Sequence, residues 1–399
     1  MEQKGPLDGI KIIDCTHVLS GPFASTLLAD LGAEVIKVER MGVGDPIRLS
    51  GPPFQNGEGA YFISVNHNKK SICVDLKNPA GIEAVKRLVK GADVFMENFR
   101  PGVMDRLGLG YQALLKIKPD LIYSSLTAFG AKGPYRDKAG FELIIQSLTG
   151  LVNVTTPPGG EPAKIQVQMV DLCGGMILAY STLAALYYKQ ATGQGQRVET
   201  SLLESTIMML ANLAGIYFMT GRVPTGLGTR NPQAMPSQAF KTKDSYISVV
   251  TASNHWDRFA KAMGHPEWAE DPKLSEASYR VEHYAELEAM ITALTTTKTT
   301  AEWLVIFDEH SVAASPVNTV EQAFEDPGIQ ATGMVKKMAH PIAGEITVLD
   351  KPWHLSASPG GLKLPPPPLG GHTTEVLLEA GFDQAEIDQL KKSGAVSGK

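Results

Sequence analysis

The chain has 399 residues, 43% of them hydrophobic and 20% charged, with a formal net charge of −5. This is globular composition with length for about two domains, its charges are too interspersed for a nucleic-acid arm, and no run of about 18 apolar residues marks a membrane span. Cys15, Cys73 and Cys173 form neither a CxxC pair nor a zinc pattern, and "MEQKGPLDGIKIIDCTH" lacks a signal-peptide core, so a reduced, cytoplasmic setting is expected.

In chain order, "IKIIDC" is a short isoleucine-rich run that reads as a buried parallel strand. "GPFASTLLADLG" follows at helical spacing, and "AEVIKVER" is a strand again, which completes a β-α-β unit. "KSICVDL" reads as a strand, "NPAGIEAVKRLVKGA" as a helix with an Asn cap and a Gly stop, and "DVFMENF" as a strand. "LGYQALLKIKP" is then a helix and "DLIYSSLTAFG" a strand. Alternation of this kind predicts a doubly wound, Rossmann-like parallel sheet with helices on both faces.

Residues 175–190 and 201–220 read as two long helices, the second broken by Gly221 and Pro224. "TGLGTRNPQAMPSQAF" is loop, "SYISVVTAS" a strand, and the span from Asn254 to about His310 helical. "GMVKKMAHPIAGEITVLDKPWHLSAS" reads as strands returning to the first domain, and the four prolines of "KLPPPPLGG" as a stiff connector before two short helices. The expected division is a large domain over 1–200 and 326–399, a linker helix over 201–224 and a smaller α+β domain over 225–325.

Two places attract a functional reading. The first β-α-β unit ends its second strand at Glu39, as dinucleotide enzymes do, but its turn is "HVLSGPFAS" rather than G-x-G-x-x-G. Without those glycines a pyrophosphate cannot approach the backbone, which disfavours an NAD(P)-dependent oxidoreductase without excluding it. Arg40 is there a phosphate contact or a solvated rim charge. The second place is "QVQMVDLCGGM", where Asp171 precedes a helical run. It reads either as an N-cap or as a nucleophilic carboxylate. Gly174 and Gly175 weaken the helix by up to about 1 kcal/mol each, which suits close approach of a ligand, and their N–H groups are candidate oxyanion donors.

Taken in order, "LDGIKIIDCTHVLSGPFASTLLADLGAEVIKVER", "GDPIR", "NHNKKSICVDLKNPAG", "ADVFMENFRPGVMDRLGLGY", "LIYSSLTAFGAKGPY", "GFELIIQSLTG", "VDLCGGM", "TGQGQRVETSLLES", "RNPQAMPSQAF" and "PPPLGGHTTEVL" resemble the class III CoA-transferases over essentially the whole chain. That family includes formyl-CoA transferase, carnitine CoA-transferase and α-methylacyl-CoA racemase. The resemblance places the catalytic aspartate at Asp171, with Glu142 at an acidic position beside it. It places Val18, Arg40, Val74, Asn98, Phe99 and Arg106 along the CoA groove. Lys138 lies one position from a CoA-contacting lysine.

The resemblance implies CoA as a substrate carrier, no tightly bound cofactor, no metal, and an interlocked ring-like homodimer. It implies transfer of CoA from an acyl-CoA, with succinyl-CoA the expected donor, to a carboxylic acid through an aspartyl anhydride and a β-aspartyl-CoA thioester. Three departures narrow it. Leu19 stands where formyl-CoA transferase has a glutamine, and no glycine-rich run occurs between Gly221 and Phe240, so formyl-CoA and oxalate are disfavoured. Phe141 stands where the racemases carry a histidine, so the second acid/base that an acyl-CoA racemase needs is missing.

Overall fold

The computed structural model describes residues 4–251 and 255–399, and these form two compact units. The start of the helical span expected from Asn254, and the last residues of the strand expected over "SYISVVTAS", fall at 252–254, outside the described residues.

The first unit comprises 1–151, 165–221 and 332–399. It is built on six parallel strands: β1 (Lys11–Asp14), β2 (Glu34–Glu39), β3 (Lys69–Val74), β4 (Val94–Glu97), β5 (Ile122–Thr127) and β6 (Arg197–Ser201). Their spatial order is β3-β2-β1-β4-β5-β6, and the two-residue strand Val396–Ser397 adds antiparallel to β3. Register follows the apolar runs, with Ile13 beside both Ile36 and Phe95, and Phe95 beside Tyr123. This is the doubly wound order, which reverses between β1 and β4.

Local chemistry sets the helices. Helix α1 (Ser20–Asp30) leaves the β1 turn, and α2 (Pro79–Lys90) has Asn78 accepting from the Ala80 N–H, proline in its first turn and Gly91 at its end. Helices α3 (Glu142–Leu148), α4 (Met169–Thr192), α5 (Leu202–Met209) and α6 (Ala211–Thr220) follow. The span 201–224 is therefore not a linker helix: α5 and α6 meet at a bend of 68°, and both belong to the first unit. Strand β6, absent from the expected elements, alternates exposed Arg197 and Glu199 with buried Val198 and Thr200. That period-2 pattern was the available signal. Helix α4 has the length and apolarity to cross a bilayer, but half of its most apolar window is buried inside the protein, as befits a core helix.

The "GMVKKMAHPIAGEITVL" segment forms a hairpin, Val335–His340 with Gly344–Leu349, that stands apart from the main sheet and packs Ile346 and Val348 on Ile63. The closing helices, Thr373–Glu379 and Gln384–Lys392, bury Leu377 and Ile387 against the same core as α2.

The second unit is 222–331 together with 152–164, a short stretch expected in the large domain and found here instead. It carries three antiparallel strands, Ser237–Lys241, Tyr246–Val250 and Ala313–Pro316, with helices packed around Phe259, Trp303 and Phe307.

Candidate active site

Strand order reverses between β1 and β4, and in such sheets the region beyond the C-terminal ends of those strands is the usual ligand position. The β1–α1 turn there is held from several sides. Asp14 Oδ1 accepts from the Thr16 N–H at 2.8 Å and from the Thr16 hydroxyl at 2.5 Å. Asn98, just after β4, clasps the peptide of His17, accepting from its N–H at 2.9 Å and donating to its carbonyl at 2.8 Å. Val18 sits at φ +68°, a conformation that costs a β-branched residue about 1–3 kcal/mol. Its N–H donates to Asp45 Oδ1 at 3.0 Å, and Asp45 Oδ2 lies 2.9 Å from the buried Lys37 ammonium. Lys37 also donates to the Thr16 carbonyl at 2.8 Å. A buried ion pair thus fixes the turn in its strained form.

The turn delivers Ser20 to Asp171. The Ser20 hydroxyl donates to Asp171 Oδ1 at 2.5 Å. Asp171 is the third residue of α4, after the N-cap Gln168, so the reading of Asp171 as the cap is corrected. The orphan N–H groups of the first turn go instead to Glu142: Val170 donates to Oε1 at 3.2 Å and Asp171 to Oε2 at 2.9 Å. Gln146 steadies the same carboxylate at 2.6 Å. Burial pushes the Asp171 carboxyl above its ordinary pKa; the Ser20 hydrogen bond opposes this and the Glu142 charge adds to it.

Tyr61 was not singled out from sequence. Burial first, then the charges of Asp171, Glu142 and Asp45, push its phenol up to about 12, which places it in the field of the site. It packs with Val18 and Leu172 on buried Leu19, Ile47 and Phe62, so the side of the site next to Tyr61 is apolar. An isolated tyrosine in "EGAYFISVN" carries no local signal that could have found it.

The expectation that Gly174 and Gly175 offer free N–H groups is corrected. Both lie in the second turn of α4, where backbone donors are consumed by the helix. Their purpose is close packing. A Cβ on Gly175 would stand 2.5 Å from the Ser20 carbonyl oxygen, and one on Gly174 2.6 Å from Leu202 Cδ2. The same holds for Gly21 in the first turn, where a Cβ would meet the Thr16 side chain at 2.4 Å.

The other expected positions separate into three groups. Val18, Asn98 and Phe99 come together around His17, with the Phe99 ring 4.7 Å from the imidazole. Arg40 is exposed just past the end of β2, and Arg106 is exposed at the end of the short helix Val103–Arg106, with its guanidinium beside Gly102. Lys138 is exposed, its ammonium 4.3 Å from the centre of the Tyr135 ring. Val74 departs from expectation, because its side chain is sealed in the apolar core and only its backbone can face a ligand.

The site thus consists of a half-buried aspartate, Asp171, held by Ser20 beside the switch point of a doubly wound α/β sheet. The model of CoA-transferase family III matches residues 7–373. The chain is 38% identical to succinyl-CoA:glutarate CoA-transferase of Mus musculus over 98% of its length and 90% of that protein's. It is 35% identical to succinate–glutarate CoA-transferase of Agrobacterium fabrum over 94% of its length and 96% of that protein's. The crystal structure of a CAIB/BAIF family protein from Brucella suis superposes with a TM-score of 0.85 at 34% identity, covering 95% of this chain and all of that one (100%). The chain belongs to CoA-transferase family III and is a CoA-transferase of acyl-CoA metabolism.

Proposed function

We propose that the enzyme moves CoA from succinyl-CoA to a small dicarboxylic acid of the glutarate type, with Asp171 as the covalent carrier. The donor and acceptor follow the names of its relatives. The observation that carries the mechanism is the Asp171 carboxylate itself, half-buried at the start of α4, raised in pKa by burial and aligned by Ser20. Desolvation makes a carboxylate a competent nucleophile. Asp171 attacks the donor thioester, forms a mixed anhydride and expels CoA thiolate. The thiolate attacks the aspartyl carbon, the donor acid departs, and a β-aspartyl-CoA thioester remains. The acceptor carboxylate then runs the sequence in reverse.

Glu142 acts through position, capping α4 so that its third residue faces the site. Val18, Arg40, Asn98, Phe99, Arg106 and Lys138, with the backbone of Val74, line the CoA path. Arg40 and Arg106 supply charge-assisted contacts to phosphate. Cys173 plays no part: it is buried, its thiol pKa is raised by burial, and it leans on the Ser205 carbonyl.

The working form is an interlocked homodimer in the cytoplasm. Support comes from α6, which is mostly apolar and buries none of its residues, with Phe218 79% and Met219 88% exposed. Tyr180 and Tyr187 of α4 are likewise exposed. An apolar surface of this kind calls for a covering partner, and a second copy fits the family resemblance.

The test is to incubate enzyme with succinyl-CoA and no acceptor, then locate any CoA adduct by peptide mass analysis. The adduct is expected on Asp171 in the peptide containing "VQMVDLCGGM", and it must persist in Cys173→Ala. A label that follows Cys173, or fast exchange with no adduct, overturns the covalent mechanism.

A further inference from the structure

We propose that the Ser20 hydroxyl is the oxyanion donor for the two chemical steps that occur at the side-chain carbon of Asp171. The inference rests on Asp171 as nucleophile and adds a group that neither the sequence motifs nor the family comparison assigns.

The geometry is specific about which atom is served. Ser20 is buried, and its hydroxyl lies 2.5 Å from Oδ1. Among the described residues it is the one hydrogen-bond donor on that carboxylate. With Oδ1 engaged, Oδ2 is left to attack the donor carbonyl. A bond forms between Oδ2 and the acyl carbon, the carbon–sulfur bond breaks, and the thiolate leaves with the electron pair. In the resulting anhydride Oδ1 has become the carbonyl oxygen of the aspartyl half.

When the thiolate returns to Cγ, a sulfur–carbon bond forms and the π pair moves onto Oδ1. That is the atom the Ser20 hydroxyl faces. Collapse of the intermediate restores the carbonyl and breaks the Cγ–Oδ2 bond, releasing the donor acid as its carboxylate. Attack by the acceptor carboxylate on the thioester places negative charge on Oδ1 a second time and expels CoA thiolate. The first and last steps differ, because their charge gathers on the substrate's own carbonyl oxygen. Ser20 therefore serves the middle of the reaction and not its ends.

Among the described residues, the backbone donors of α4 do not fill this role. The N–H groups of Val170 and Asp171 are committed to Glu142, and those of Gly174 and Gly175 to the helix. The hydroxyl is also preorganised, as effective oxyanion donors must be. The turn that leads to it is fixed by Asn98, Asp45 and Lys37, and its own carbonyl abuts Gly175.

The experiment is a quenched single turnover with succinyl-CoA and no acceptor. Two products are read: the CoA adduct on Asp171, and the succinyl hydroxamate that hydroxylamine draws from the anhydride. In Ser20→Ala the adduct should form about ten- to a hundredfold more slowly, while enzyme-dependent hydroxamate persists and its ratio to adduct rises. The KM for succinyl-CoA should stay within about twofold, and thermal unfolding reports whether the fold is intact. An adduct rate equal to wild type overturns the Ser20 role alone. So does a parallel fall of both products, which marks a merely structural serine. A wild-type enzyme that forms no adduct overturns the Asp171 mechanism, and this inference with it.

Discussion

The two faces of the parallel sheet are built by opposite means. One face is an apolar core: Ile13, Ile36, Ile72, Phe95 and Tyr123 pack on α2 and on the closing helices through Val85, Leu88, Leu377 and Ile387. The other face, under α1, buries charge. Asp14, Lys37, Glu39 and Lys69 lie there with almost no exposure. Asp14 is held below the usual carboxylate range by Lys69 and Lys37 although burial opposes this, and Arg48 and Lys37 do the same for Glu39. Burial pulls Lys69 down to about 7 despite its 3.4 Å approach to Asp14. Buried ion pairs are seldom the cheapest way to stabilise a fold. Here they hold the β1–α1 turn in place, with Val18 in its left-handed conformation and Ser20 against Asp171. The apolar face supplies stability, whereas the charged face converts stability into geometry.

The largest expected effect bears on what the charged face exists to position. Asp171→Asn should cut transfer by at least about 10³-fold while CoA binding survives. The sign for stability is the reverse. The folded pKa of Asp171 is raised, so its contribution to stability is present below the unfolded carboxylate pKa and is lost as pH rises through the folded value. The Asn variant should therefore be at least as stable as wild type at neutral pH, with the difference vanishing in acid. Thermal melts across pH check this, and a clear loss of stability at neutral pH would mean that Asp171 is structural.

A matched pair of variants separates the two faces. Lys37→Met leaves Asp45 buried without its cation and should cost about 3–5 kcal/mol in urea titrations. Phe95→Ala on the apolar face should cost a similar amount, about 3–5 kcal/mol. The difference lies in activity per folded molecule, which Lys37→Met should lower severalfold and Phe95→Ala should leave alone. Equal losses of kcat in the two variants would erase the distinction between the faces.

A smaller effect concerns pH. Activity needs the Asp171 carboxylate, so the acid limb of kcat should lie above the ordinary aspartate range. The Glu142 charge raises that pKa, so Glu142→Gln should move the limb to lower pH even if α4 is less well capped and kcat falls. A limb that stays put or rises would remove Glu142 from the electrostatics of the site. Smallest of all, Arg40→Ala should raise the KM for acyl-CoA a few-fold, about what one exposed and screened charge can supply, with little change in kcat. An unchanged KM would return Arg40 to a solvated rim.

Much of the scaffold was legible because its signals are local. The isoleucine-rich strands, the Asn78 cap and the Gly91 stop are written within a few residues of where they act. The aspartate too was visible, through the motifs around it and the glycines behind it. Its environment was not. Ser20 lies 151 positions from Asp171, and Glu142 is 29 positions from the N–H it caps. Short local patterns cannot report such pairings. The role of the glycines was misread for the same reason, since what excludes a side chain at Gly175 is the carbonyl of Ser20 on another helix.

The sequence by itself determined an alternating α/β chain of the CoA-transferase kind with a carboxylate at Asp171, because strand and helix periods and motif order are properties of neighbouring residues. Tertiary structure alone decided that Asp171 stands inside its helix rather than capping it. It also decided that Glu142 takes the free N–H groups, that Ser20 holds one carboxylate oxygen, and that Tyr61 shares the field of the site. Those outcomes depend on packing distances between α1, α3 and α4. Such distances exist only once a sheet with one apolar and one charged face has brought the helices together.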